Sequence, residues 1–284
     1  MNKKKVTGLI SLFRLELPAA AGLSTLVGEL LAVGQIPGWR EGILGVVSVF
    51  LISASALILN DYFDLPADRV NAPERPLPSG AVTPAEVLVL FSAVSGFGLL
   101  AALALSPVVL AAAFLVWLLG ILYSWRLKQR GLPGNLLVSL SVGMTFLYGG
   151  LVVGKPFQPA VWYLAVIGAL INLGEEIAAD ALDAPGDQVV GSRSLALQLG
   201  REEALGISGT ILFAAVILSA LPFALGWLGW IYFAPVAAAD LVIVYSAGKL
   251  NNQDTQDPRR YVRWIYLSAS AALLAFLILQ LVYA

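Results

Sequence analysis

Long apolar stretches separated by short polar breaks run through the whole chain, at about 14–34, 42–60, 85–104, 107–124, 134–154, 159–178, 204–224, 227–247 and 262–283. Each is close to the roughly 20 residues that a helix needs to cross about 30 Å of hydrocarbon at 1.5 Å per residue. The pattern predicts an all-α integral membrane protein of nine transmembrane helices. These form two four-helix halves plus a ninth helix, in a single domain spanning 1–284. Composition supports this: 59% of the 284 residues are hydrophobic and only 12% are charged, against roughly a quarter charged in a soluble domain. The apolar stretch behind Lys3, Lys4 and Lys5 has no small-residue cleavage site and reads as a retained first helix.

The polar breaks are unequal. Those on one side are turn-like, such as Ser106-Pro107 and Leu221-Pro222, whereas two on the other, about 61–84 and 179–203, are long and rich in acids, Gly and Pro. Positive charge follows the same division. With a cytoplasmic N-terminus, only Arg40 and Lys155 fall outside, while Arg14, Arg69, Arg75, Arg126, Lys128, Arg130, Arg193, Arg201, Lys249, Arg259, Arg260 and Arg263 fall inside. The positive-inside rule therefore predicts a multi-pass cell-membrane protein with a cytoplasmic N-terminus, an external C-terminus and function concentrated in cytoplasmic cap loops.

Cysteine and histidine are absent. This excludes disulfides, thiolate nucleophiles, histidine bases and the usual zinc, haem or iron–sulfur ligation, so any metal must be hard and held by oxygen. Two acidic constellations supply such oxygen. After the second span, Asn60, Asp64 and Asp68 are four apart and share one helical face, with Asp61 beside them and Pro66 set to kink or end the helix near Leu65. After the sixth, Glu176, Asp180, Asp183 and Asp187 share a face until Pro185 and Gly186. A single acid at a helix end is an ordinary interfacial charge. Several converging in apolar surroundings repel one another and cost on the order of 2.5–3.5 kcal/mol each, which bound cations relieve. Mg²⁺ bridges one or two carboxylates to substrate phosphates, so two such motifs facing one another suit a diphosphate that must leave. The spacing lacks the twelve-residue loop of an EF-hand Ca²⁺ site.

The run NDYFDLPADRVNAPERPLPSG (60–80) resembles the first signature of the UbiA superfamily of intramembrane prenyltransferases, and EIAADALDAPGDQVVGSRSLA (176–196) resembles the second. The resemblance implies that Asn60, Asp61, Asp64, Asp68, Asp180, Asp183 and Asp187 bind Mg²⁺ and the diphosphate, with Asp64, Asp68, Asp183 and Asp187 central to catalysis. Asp61 lies off the Asn60 face and reads equally as a helix-end hydrogen-bond acceptor. Arg75 would contact the diphosphate through charge-assisted hydrogen bonds. Arg193 sits where the family often has lysine, which implies a contact with the diphosphate there as well. The segment 123–130 also resembles the family, with Lys128 as an anion contact and Tyr123 shielding an allylic cation or orienting the acceptor. Arg126 and Arg130 read as topological charges. Arg14 is kept from an Arg-Pro element whose Asn is replaced near Leu17.

The sequence looks most like the members that prenylate a glycerol phosphate ether. The expected reaction is Mg²⁺-dependent transfer of a geranylgeranyl group from its diphosphate to that lipid's free hydroxyl. The proton leaves to a motif carboxylate or to the departing diphosphate. An aromatic acceptor of the quinone or chlorophyll type is the alternative within the family, and a membrane transporter is the rival class. The clustering of acids at one edge argues against a transporter. No nucleic acid and no obligate protein partner is implied. Glu29 and Asp240 lie inside spans, where an acid is either functional or paired with a neighbouring hydroxyl.

Overall fold

The computed structural model describes residues 3–252 and 254–283; Met1, Asn2 and the side chains of Lys3 and Lys4 lie outside it. Among the described residues every regular element is helical. The first part comprises α1 (Lys3–Ser11), α2 (Glu16–Val33), α3 (Trp39–Phe63), α4 (Leu65–Asn71), α5 (Pro84–Leu105) and α6 (Pro107–Leu122). The second comprises α7 (Leu132–Val152), α8 (Pro159–Val189), α9 (Leu195–Leu199), α10 (Arg201–Ala224), α11 (Phe233–Leu250) and α12 (Pro258–Tyr283). Nine stretches among the described residues are long and apolar enough to cross a membrane, as the hydrophobic pattern predicts. Helices suit this solvent because each satisfies its own backbone hydrogen bonds.

Helix starts follow local chemistry. Thr83 and Glu86 form a reciprocal capping box ahead of α5, with Pro84 in the first turn. The Ser106 hydroxyl accepts the Val109 N–H at 3.1 Å ahead of α6, and Pro107 follows it. Gly34, at φ 74°, closes α2 in the left-handed conformation that favours glycine.

The two long polar breaks contain more helix than the sequence suggests. Helix α3 yields at Asp64, as Pro66 implies, but α4 resumes at Leu65. The Asp64 N–H still reaches the Asn60 carbonyl and the Asp68 N–H the Asp64 carbonyl, each at 2.8 Å, so Asn60, Asp64 and Asp68 keep a common face. The second expectation, that the helical face ends at Pro185 and Gly186, is corrected: α8 continues through both to Val189. The cause is tertiary. The Asn71 side chain accepts the Gly186 N–H at 3.0 Å and donates to the Asp183 carbonyl at 3.0 Å. It satisfies backbone groups at the turn that proline disturbs.

The seam between the halves is a close crossing of α2 on α7. Thr25 Oγ1 donates to the Thr145 carbonyl at 3.1 Å. A Cβ on Gly28 would run into the Phe146 carbonyl, and one on Gly149 into that of Thr25. Small residues let membrane helices approach in this way. At the motif end, the seam opens onto a cavity. The buried Leu12, behind α1, packs with Ala54, Ile58, Leu77, Val82 and Val87 and so holds α1 and the segment after α4 over α3 and α5.

The two intramembrane acids part company. Asp240 of α11 accepts a 2.7 Å hydrogen bond from Ser219 of α10, the plain reading. Glu29 is fully buried with neither carboxyl oxygen hydrogen-bonded among the described residues, so the expected hydroxyl partner is not found there.

Candidate active site

The two acidic motifs face one another across a cavity of about 650 Å³ that opens at the motif end and continues between apolar helix walls. Its mouth is lined by Asn60, Asp64 and Asp68 from α3 and α4, and by Glu176, Asp180, Asp183 and Asp187 from α8. Asn71 ties the two motifs together, which fixes their spacing from within the site.

Four of the acids are matched with cations. Arg14 pairs with Asp61 and Lys128 with Asp64. Arg75 reaches Asp68 at 2.6 Å, and Arg259 reaches Asp183 at 2.5 Å. Asn60 Nδ2 donates to Asp64 at 2.7 Å and Asn135 Nδ2 to Asp180 at 2.9 Å. Asp61 and Asp68 are 3% and 5% exposed, so pairing is what makes their charge tolerable. Burial lowers the Arg75 pKa, but the hydrogen bond and charge of Asp68, with Asp61 and Asp183 behind it, outweigh that and hold it above its ordinary value. Arg75 is thus a permanent cation beside the mouth.

Tyr123 and Lys128 owe their relation to a π-helical segment, Tyr123–Leu127, that interrupts the end of the fourth span. The Lys128 N–H bonds the Tyr123 carbonyl five residues back, a π-type turn that brings residues 123 and 128 closer to one face than an α-helix would. Both line the cavity, and Lys128 Nζ also approaches Asn60 Oδ1 at 3.4 Å.

Several placements depart from a simple reading of the motifs. Asp61 is turned to Arg14 and does not line the cavity. Arg193 lines a separate surface pocket with Arg126 and Arg130, while its N–H bonds the Gln129 carbonyl at 2.9 Å. Among the described residues no three acids converge closely enough to hold a metal ion by themselves. The donor set nonetheless suits Mg²⁺ arriving with a diphosphate: it is all oxygen, divided between two faces, and the buried Asp68 Oδ2 has no hydrogen-bond partner. Asn71, Asn135, Glu175, Arg259 and Arg263 also serve or line the site. Motif reading missed their roles, although the adjacent Glu175-Glu176 pair near a membrane boundary was a signal in the sequence.

Comparison with known proteins agrees with this arrangement. A digeranylgeranylglyceryl phosphate synthase from Thermococcus gammatolerans is 37% identical over 93% of this chain and 94% of its own. One solved structure, described as giving insights into digeranylgeranylglyceryl phosphate synthase in membranes, is 27% identical with a TM-score of 0.70, over 96% of this chain and 98% of its own. A UbiA homologue from Archaeoglobus fulgidus bound to GPP and Mg²⁺ shares the fold at 18% identity and a TM-score of 0.68, over 97% of this chain and 99% of its own. With residues 21–268 matching the family model, the chain belongs to the UbiA prenyltransferase family.

Proposed function

We propose that the protein transfers a geranylgeranyl group from its diphosphate to the free hydroxyl of geranylgeranylglyceryl phosphate, forming an ether. The observation that carries this reading is a cavity with Mg²⁺-binding acids and cations at its mouth and apolar walls within, which matches a substrate that is a diphosphate at one end and hydrocarbon along the rest. The curated relatives named digeranylgeranylglyceryl phosphate synthase support the choice of acceptor.

Mg²⁺, held with the diphosphate between Asp64 and Asp68 on one side and Asp183 and Asp187 on the other, would neutralise the charge of the leaving group. Asn60 and Asp180 border the same space and complete the oxygen set. Lys128 and Arg75 point cations at the mouth, where negative charge grows as the allylic C–O bond breaks. The apolar walls keep water from the allylic cation, and the Tyr123 ring faces the same space. The acceptor hydroxyl attacks C1, a new C–O bond forms, and its proton passes to a motif carboxylate or the departing diphosphate.

We place the motif end at the cytoplasmic face because cations gather there, and we read 1–284 as one domain. Since the chain has no cysteine, Ser79→Cys and Gln158→Cys can be labelled separately with an impermeant thiol reagent in intact cells. Labelling of Gln158→Cys alone is expected; labelling of Ser79→Cys alone reverses the orientation. Activity is tested by giving the purified enzyme radiolabelled geranylgeranyl diphosphate with glycerol phosphate and aromatic acceptors in competition. Ether product is expected, and label on the aromatic ring would refute the lipid assignment.

A further inference from the structure

The close contact of α2 with α7 leaves no room for a ligand between them at the level of Thr25 and Gly149. The apolar lining of the cavity is therefore shared between two sides. Val49, Val116 and Trp117 belong to α3 and α6, whereas Ile171, Ala269 and Leu273 belong to α8 and α12. On α12 the lining positions Arg259, Val262, Arg263, Tyr266, Ala269, Ser270 and Leu273 follow one helical face. That face begins with two guanidinium groups at the mouth and becomes apolar inward. Leu273 lies 14 residues beyond Arg259, about 21 Å at 1.5 Å per residue.

We propose that this face of α12 is the acceptor subsite, with Arg259 and Arg263 holding the acceptor's phosphate and the α8–α12 side taking its prenyl chain. The donor chain then lies on the α3–α6 side, behind Lys128 and Tyr123. The inference rests on the glycerol phosphate reading above and deepens it. Its chemistry is that of an anion receptor: two planar donors one helical turn apart suit a phosphate with several acceptor oxygens. They stand at the N-terminal end of a 26-residue helix, whose free N–H groups favour an anion. Both arginines are exposed at the cavity mouth and rest on carboxylates, Arg259 on Asp183 and Arg263 on Glu16, each at 2.5 Å. Tyr266 also donates to Glu16, which keeps that carboxylate turned to α12. A phosphate can displace these contacts without unfolding the helix.

The test uses the full-length enzyme in nanodiscs, with geranylgeranylglyceryl phosphate and its dephosphorylated analogue as acceptors. Arg263→Gln is expected to raise KM for the phosphorylated acceptor about tenfold or more, as loss of a charge-assisted contact implies. The donor KM should stay within about twofold, and Arg263→Lys should recover part of the loss. Equilibrium binding of the acceptor without donor should weaken in parallel, and preference for the phosphorylated acceptor should shrink. Leu273→Trp, inside the apolar side, should raise KM for both acceptors and spare the donor. An unchanged acceptor KM, or an equal rise in the donor KM, overturns the subsite. If the wild-type enzyme ignores both glycerol acceptors and alkylates an aromatic ring, the lipid reading itself fails.

Discussion

The two acidic motifs reach the same cavity by opposite backbone solutions. In the first, the helix breaks at Asp64 and restarts, and its i→i−4 hydrogen bonds across the break preserve the face of Asn60, Asp64 and Asp68. In the second, the helix carries Pro185 in its interior yet runs unbroken to Val189. The difference lies in what surrounds each proline. Pro66 sits in the first turn of α4, where its missing N–H would have had no partner within the helix. Pro185 lies near the C-terminal end of α8, far beyond its first turn, where the first motif's Asn71 bonds the neighbouring backbone. A proline's consequence is thus decided by its tertiary partners as well as its position.

Substitutions separate these contributions, beginning with the ligands. Asp64→Ala and Asp183→Ala should each lower turnover about a hundredfold or more while leaving the circular dichroism spectrum and thermal midpoint near those of the wild type. Near-normal turnover in both would remove the acids from the chemistry. Next in size is the tie between motifs. Asn71→Ala deletes two hydrogen bonds and should cost about 2 kcal/mol of stability and about tenfold in turnover. Gly186→Ala should act in the same direction, because its new Cβ would meet the Asn71 amide. If Asn71→Ala turns over normally, the motifs are spaced by something else.

The next comparison, of the cations Lys128 and Arg193, is read in donor binding. Lys128→Ala should raise the donor KM about tenfold, whereas Arg193→Ala, which removes a side chain lining the separate pocket, should change it less than about twofold; equal losses would join the two pockets functionally. Metal affinity probes the same contrast by calorimetry. Mg²⁺ should bind measurably only with a diphosphate analogue present, since no three described acids converge on one point. Tight binding of Mg²⁺ alone would contradict this. The smallest effect belongs to Pro185→Ala: a helix already continuous should stay so, with activity within about twofold, and a large loss would give the proline a role of its own.

Much of the site was legible because acids, prolines and cations in a membrane protein are costly and therefore informative. Four-residue spacing placed Asn60, Asp64 and Asp68 on one face, and Lys128 lines the same cavity. The resemblance assigned Arg193 to the diphosphate, but its side chain lines another pocket. Neither charge nor local pattern told it from Lys128. Asp61 was an even choice, and the fold turns it to Arg14. The missed residues share one property: their partners are distant in sequence. Asn71 meets Asp183 and Gly186, Arg259 meets Asp183, and Arg263 meets Glu16 nearly the whole chain away.

By itself the sequence determined what hydrophobic spacing and local charge control: nine apolar spans, the acidic end of the bundle, hard oxygen donors and a family signature. These follow from the cost of placing polar groups in hydrocarbon, which each residue carries wherever it lies. Tertiary structure alone decided that α8 runs past Pro185, that a π-helical turn lies between Tyr123 and Lys128 where both line the cavity, and which cation meets which acid. Those outcomes depend on contacts between residues far apart along the chain, and local periodicity has no term for them.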